Sequence, residues 1–96
     1  MLDTTIMYTV EEPNTIIEQL KDYFEEQECK VEESNTTYKL KGTFPFPENI
    51  VLTVSIKKVT ECVRCVKLRR VFGGKMEFLD TFNEIKLYLT ELSIIL

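Results

Sequence analysis

Histidine is missing from these 96 residues, and cysteine, glycine and proline are each present only three times. Without histidine the chain lacks the side chain that most often acts as a general base near neutral pH, and also the commonest metal ligand. Ser55 and Ser93 have no imidazole to activate them, so a serine-nucleophile triad is not expected. An odd count of cysteines (Cys29, Cys62, Cys65) does not make a disulfide framework. It points to a reducing, intracellular setting, cytoplasmic or nuclear. No apolar run approaches the roughly 18–20 residues that cross a bilayer. The longest apolar cluster, 92–96, is interrupted by Ser93. The opening Met1-Leu2-Asp3-Thr4 has neither a basic start nor an apolar stretch, so a secretory signal is not expected. The glycosylation-type triplet Asn35-Thr36-Thr37 would then go unused.

The remaining chemical motifs are incomplete. Cys62-Val63-Arg64-Cys65 has the spacing of a redox or zinc pair, but a structural zinc wants four ligands and Cys29 is the only further thiol. If the segment is a strand, residues three apart point to opposite faces, and the favoured reading is two small apolar residues in a β-rich stretch. Gly73-Gly74 lacks the other positions of a phosphate-binding loop and reads as a turn. Glu25, Glu26, Glu28, Glu32 and Glu33 lack the alternating oxygen ligands of a calcium loop, and read as a solvated helix face and loop. No metal, no cofactor and no catalytic residue is expected.

What is present is the composition of one ordinary globular domain spanning 1–96, with 44% hydrophobic and 29% charged residues. Residues 5–10 alternate, with Ile6, Tyr8 and Val10 on one side, which reads as a short strand or extended arm. Pro13 suits the first turn of a helix, and Ile16, Ile17, Leu20, Phe24 and Gln27 then recur at helical spacing. Residues 32–37 are polar and read as a turn. Tyr38, Leu40 and Gly42 alternate with Lys39 and Lys41 in a strand that Phe44-Pro45-Phe46-Pro47 ends. In 50–57, Ile50, Leu52, Val54 and Ile56 face one way and Val51, Thr53, Ser55 and Lys57 the other. A short turn near 59–61 leads to a hairpin partner over 62–72, where Val66 and Leu68 oppose Lys67 and Arg69. After Gly73-Gly74, Phe78, Phe82, Ile85, Leu89 and Leu92 mark a final helix. The expected fold is α+β: an antiparallel sheet of about four strands with two helices packed on one face. Its other face would show Lys57, Lys67 and Arg69 to solvent.

The net charge of −4 conceals an asymmetry. Residues 1–50 carry 4 basic and 11 acidic side chains, whereas 51–96 carry 8 and 5. Lys57, Lys58, Arg64, Lys67, Arg69, Arg70 and Lys75 stand against Glu61 alone within 57–75. These seven are the candidate site: an anion-binding surface, or else a solvated strand face paired with the acidic first half. Nucleic acid is not the expected partner, because the chain is acidic overall and offers no recognition helix or paired aromatic strand motif.

Several of these residues also form a pattern. The run 51–59, then Val66-Lys67-Leu68-Arg69-Arg70-Val71-Phe72-Gly73-Gly74-Lys75-Met76-Glu77-Phe78, then Phe82 and Ile85, resembles the kinase-associated-1 domain. That domain closes the chains of several Ser/Thr protein kinases, among them microtubule-affinity-regulating kinases, septin-associated yeast kinases, plant salt-tolerance kinases and checkpoint kinase one. Pro13, Ile16, Ile17 and Leu20 resemble its opening helix, and Tyr38-Lys39-Leu40-Lys41 its following strand. The likeness covers about residues 8–92 and rests on order and spacing. Gly73, Glu77, Phe78, Phe82, Ile85 and Lys86 fall where the checkpoint-kinase and plant-kinase branch has them.

The resemblance implies a non-catalytic regulatory domain that folds back on the kinase domain of its own chain and restrains it. Its alternative implication is a module that binds anionic phospholipid and brings the kinase to the plasma membrane. In either case the seven basic residues above are the matching positions. Strong lipid binders of the family are basic overall, and this chain is not.

Overall fold

The computed structural model describes residues 4–34, 37–45 and 49–96. Their order is β1 (Thr4–Thr9), α1 (Pro13–Glu26), β2 (Lys30–Glu33), β3 (Lys39–Phe44), β4 (Ile50–Lys58), β5 (Arg64–Phe72) and α2 (Lys75–Glu91). The strands form one antiparallel sheet in the order β1-β5-β4-β3-β2, and both helices cover the same face. The fold is therefore the α+β architecture expected, with five strands rather than about four. The additional strand is β2, which takes in Glu32 and Glu33 from the stretch read as a turn. Its charged sequence KVEE hides the alternation: only Val31 packs against the core, opposite Gly42. Asn35 and Thr36, Phe46 and Pro47, and Met1-Leu2-Asp3 lie outside the described residues. Among the described residues no helix is long and apolar enough to cross a membrane.

Burial follows the two periodicities. Along β4 the pattern alternates without a break from Ile50 to Ile56, and its inward residues meet Val66 and Leu68 of β5. Onto this floor α1 lays Ile16, Ile17, Leu20, Tyr23 and Phe24, and α2 lays Phe78, Ile85 and Leu89. Gly42 is the close-approach point. A Cβ there would sit 3.2 Å from the Phe24 ring, which instead rests on bare backbone and meets Phe44 edge-on at 5.3 Å. The helices touch through Tyr23 and Tyr88, whose ring centroids are 4.9 Å apart.

Both helices end in the same way, and neither uses glycine. Glu28 and Ser93 adopt left-handed backbone, each with φ of 58°. The next N–H then reaches back five residues, from Cys29 to the Phe24 carbonyl (2.9 Å) and from Ile94 to the Leu89 carbonyl (3.0 Å). The second of these stops α2 at Glu91, one residue short of the Leu92 expected on its stripe, and drops Ile94 into the core. The last residues then turn along β1. Ile95 bridges to Thr9, the Leu96 N–H donates to the Tyr8 carbonyl (2.9 Å), and the Thr9 hydroxyl donates to the Ile94 carbonyl.

One face assignment runs against hydrophobicity. On β1 the residues turned inward are Thr5, Met7 and Thr9, while Ile6 and Tyr8, and Val10 just past the strand, are about half exposed. Register decides this: Met7 stands opposite Val66, and Ile6 stands opposite Lys67. Met7→Ala should therefore lower unfolding free energy by about 2–5 kcal/mol. Ile6→Ala, although it removes as much hydrocarbon, should cost under about 1 kcal/mol. Urea unfolding of the two variants measures the difference, and equal losses would contradict the register.

A basic sheet face as the candidate site

The side chains that the helices do not cover form a second surface on the far side of the sheet. Register sets its rows. One row reads Ile6, Lys67, Ser55, Lys39 across β1, β5, β4 and β3. The next reads Thr4, Arg69, Thr53, Lys41, Glu32, and a third reads Tyr8, Cys65, Lys57. Thr43 and Lys30 continue the same face at its other end. Among the described residues, six cations (Lys30, Lys39, Lys41, Lys57, Lys67, Arg69) share this face with one acid, Glu32, whose carboxylate lies 3.9 Å from Lys41. Neighbouring strands are about 4.8 Å apart. The hydroxyl side chains of Ser55 and Thr53 separate the cations of β5 from those of β3, which holds like charges about two strand spacings apart and lowers their repulsion.

At one end the face is concave. A groove of about 420 Å³ is lined by Thr37, Tyr38, Lys39, Ser55, Ile56 and Lys57. Lys39, Ser55 and Lys57 of the outer face contribute to a lining that is mainly apolar. The opposite layer carries the opposite sign. Helices α1 and α2 hold eight acids (Glu18, Asp22, Glu25, Glu26, Glu77, Asp80, Glu84, Glu91) against Lys21, Lys75 and Lys86.

The structure divides the seven basic residues singled out in the sequence. Lys57, Lys67 and Arg69 lie together on the outer face. Lys58 pairs with Glu61 at 3.1 Å across the β4–β5 turn. Arg64 stands opposite the buried Thr9, on the helix side. Its guanidinium donates to the Glu11 carbonyl at 3.3 Å and lies 3.5 Å from Glu12, tying β5 to the start of α1. Arg70 faces the same way as Leu52 and donates to the Gly73 carbonyl at 2.6 Å, closing the turn into α2. Lys75 opens α2. A contiguous stretch of sequence is thus not a contiguous surface. The surface is completed by Lys30, Lys39 and Lys41 from the acidic half of the chain. The alternation of Lys39 and Lys41 with Leu40 was the available signal, and it needed the pairing of β3 with β4 to acquire meaning.

The cysteines do not converge. Cys62 sits exposed in the β4–β5 turn, where the Thr60 hydroxyl accepts from the Cys62 and Val63 N–H groups, so β5 begins at Arg64 rather than at Cys62. Cys65 lies on the outer face between Tyr8 and Lys57. Cys29 lies beyond α1, and burial pushes its thiol up to about 11, which makes it a poor nucleophile at neutral pH. Burial, with a smaller contribution from the nearby Glu84 carboxylate, pushes the Tyr23 phenol up to about 12. Among the described residues no three Cys, Asp or Glu side chains come together in a way that could hold a metal ion.

No family model matches this chain, and none of the curated proteins matches it.

Two kinds of basic residue should respond differently to substitution. Arg64→Met leaves the Glu11 carbonyl without its donor and should cost about 1 kcal/mol in urea unfolding. Lys67→Gln and Arg69→Gln remove like charge from an uncovered face and should change stability by no more than about 0.5 kcal/mol. A large loss on either outer-face substitution would mean that those cations hold the fold together.

Proposed function

We propose that this is a non-catalytic regulatory domain of the kinase-associated-1 type, acting inside the cell by docking its basic sheet face on the catalytic domain of the Ser/Thr protein kinase to which it belongs. The single observation that carries the docking surface is the sorting of charge by layer. Among the described residues, six cations and one acid occupy the open sheet face, and the acids of the two helices belong to the layer on its other side. The element order supports the family reading. With β1 before it and β2 after it, α1 precedes the Lys39–Phe44 strand, a hydrophobic-basic hairpin, the Gly73-Gly74 turn and a closing amphipathic helix, and the elements that the resemblance implies occur among these in their implied order. A docked acidic surface would meet Lys57, Lys67 and Arg69 together, with Lys39 and Lys41 beside them. Electrostatic matching of this kind sets association rate and orientation more than raw affinity, which suits a contact that must release on activation.

A second reading, recruitment to an anionic phospholipid membrane, is favoured by the same sorting. The overall acidity of the chain counts against it less than the sequence suggests. Even the smallest dimension of the molecule, 26 Å, spans about three Debye lengths at physiological salt, so acids of the helix layer are largely screened from a membrane under the sheet. Each cation near such a surface adds about 1 kcal/mol.

Titration of the domain against that kinase catalytic domain, with peptide phosphorylation as the readout, tests the first reading. Inhibition should weaken with salt and fall at least tenfold in the variant Lys57→Glu/Lys67→Glu/Arg69→Glu. Sedimentation with phosphatidylserine vesicles against neutral ones tests the second. Binding to neither partner at low salt, where attraction is greatest, would defeat both readings.

A further inference from the structure

One copy of this domain presents two unlike faces on opposite sides, a cationic sheet face and an acidic helix layer, and their charges share a spacing. The cations stand in columns. Lys67 and Arg69 lie two residues apart on β5, about 6.6 Å along the strand. Lys39 and Lys41 form the same pair on β3. Between them β4 presents Thr53 and Ser55, so the two columns run two strand spacings apart, about 9.6 Å. The acids stand in ridges. On α2, Asp80 and Glu84 are exposed one turn apart, about 6 Å along the axis, with exposed Met76 and Leu87 before and after them. Lys75 and Lys86 lie about a third of a turn or more round the helix from both acids. On α1, Glu18 and Asp22 are exposed at the same spacing. Lys21, between them in sequence, is held by Glu33 at 3.0 Å and stands 4.0 Å from Glu18. The helices touch through Tyr23 and Tyr88, and helices in contact pack with their axes about 8–10 Å apart. The two acidic ridges therefore run about as far apart as the two cationic columns.

We propose that the helix layer of one copy of this chain docks on the open sheet face of a second copy, in a head-to-tail association. Asp80 and Glu84 of one copy meet Lys67 and Arg69 of the next, and Glu18 and Asp22 meet Lys39 and Lys41. Met76 and Leu87 come against Ile6 and Phe72, the exposed apolar residues that border the β5 cations. The sheet then carries helices on both faces, a common layered arrangement. A two-fold pair is the poorer arrangement, because the same face on both copies sets cations against cations or acids against acids. Since the matching faces lie on opposite sides of each copy, a joined pair still offers one face of each kind. The association therefore adds copies rather than closing. This inference goes beyond the kinase reading and does not rest on it, although a stacked copy would occupy the face that reading gives to the catalytic domain.

Sedimentation equilibrium of the full 96-residue chain tests this, with a thiol reductant present to keep the three cysteines free. At about 0.01 M salt, where charge acts over about 30 Å, the weight-average mass should climb with protein concentration and pass the dimer value without a plateau. At about 1 M salt the chain should be monomeric. Lys67→Gln/Arg69→Gln and Asp80→Asn/Glu84→Gln should each lower the association constant at least about tenfold, with far-UV spectra unchanged. Net charge alone predicts the reverse for the second variant, which removes two negative charges, takes −4 to −2 and so lessens repulsion. An equimolar mixture of the two variants should associate again and stop at one-to-one pairs, because each variant keeps one of the two faces. A mass that levels off at the dimer, or a mixture that stays monomeric, would overturn the proposal. So would a chain that is monomeric at low salt yet binds the catalytic domain or phosphatidylserine vesicles, and the sheet face would then belong to that partner.

Discussion

The pairing of β4 with β5 decides nearly everything else in this molecule. With Val54 opposite Leu68 and Ile56 opposite Val66, all the apolar positions of the hairpin fall on one side, and the two helices have a floor to cover. The same register places Ser55 opposite Lys67 and Thr53 opposite Arg69 on the other side. Because side chains alternate strictly along a strand, core and cationic face are two consequences of one choice. A slip of one residue would bury the charges and expose the core. The register also explains β1. Its neighbour β5 presents Val66 inward and Lys67 outward, so Met7 is drawn in and Ile6 is left at the surface, although isoleucine is the more apolar of the two.

Charge sorting follows from the layers. Helices that cover a sheet from one side turn their polar stripes away from it, and here those stripes are mainly acidic. The strands turn their polar positions the other way, and here those are mainly basic. A net charge of −4 averages two surfaces that a partner would never meet together. Net charge describes solubility and long-range steering, but a docked partner responds to the face within about a Debye length. The open face combines cations with short hydroxyl residues and a shallow groove at Tyr38, and it needs no buried ionisable group to do so.

The fold was largely legible in the sequence where period and burial agree. The 50–57 alternation, the helical stripes of Ile16 to Phe24 and of Phe78 to Leu89, and the β4–β5 hairpin all reappear at nearly the expected boundaries. Three features were not legible, each for a physical reason. β2 was hidden because an edge strand protected by charge looks like a polar turn. The helix ends were hidden because Glu28 and Ser93 occupy backbone conformations usually marked by glycine. The extent of the candidate surface was hidden because it is assembled across strands. Lys57, Lys67 and Arg69 could be placed by alternation within one hairpin, but Lys39, Lys41 and Lys30 join them only once β3 and β2 are known to pair beyond β4. Conversely, Lys58, Arg64 and Arg70 belong to the basic run in sequence and serve the turns and helix start in space.

Cross-strand nuclear Overhauser contacts test the register on which both faces depend. The outward direction of the Tyr8 carbonyl and the donation of the Ile56 N–H to the Tyr38 carbonyl make Ile6–Lys67 and Ser55–Lys39 closely spaced pairs. Strong Hα–Hα cross-peaks should therefore join Ile6 to Lys67 and Ser55 to Lys39. Cross-peaks joining Ile6 to Val66 or Leu68 instead would place the cations and the core on other faces than those described, and would contradict the account at its root.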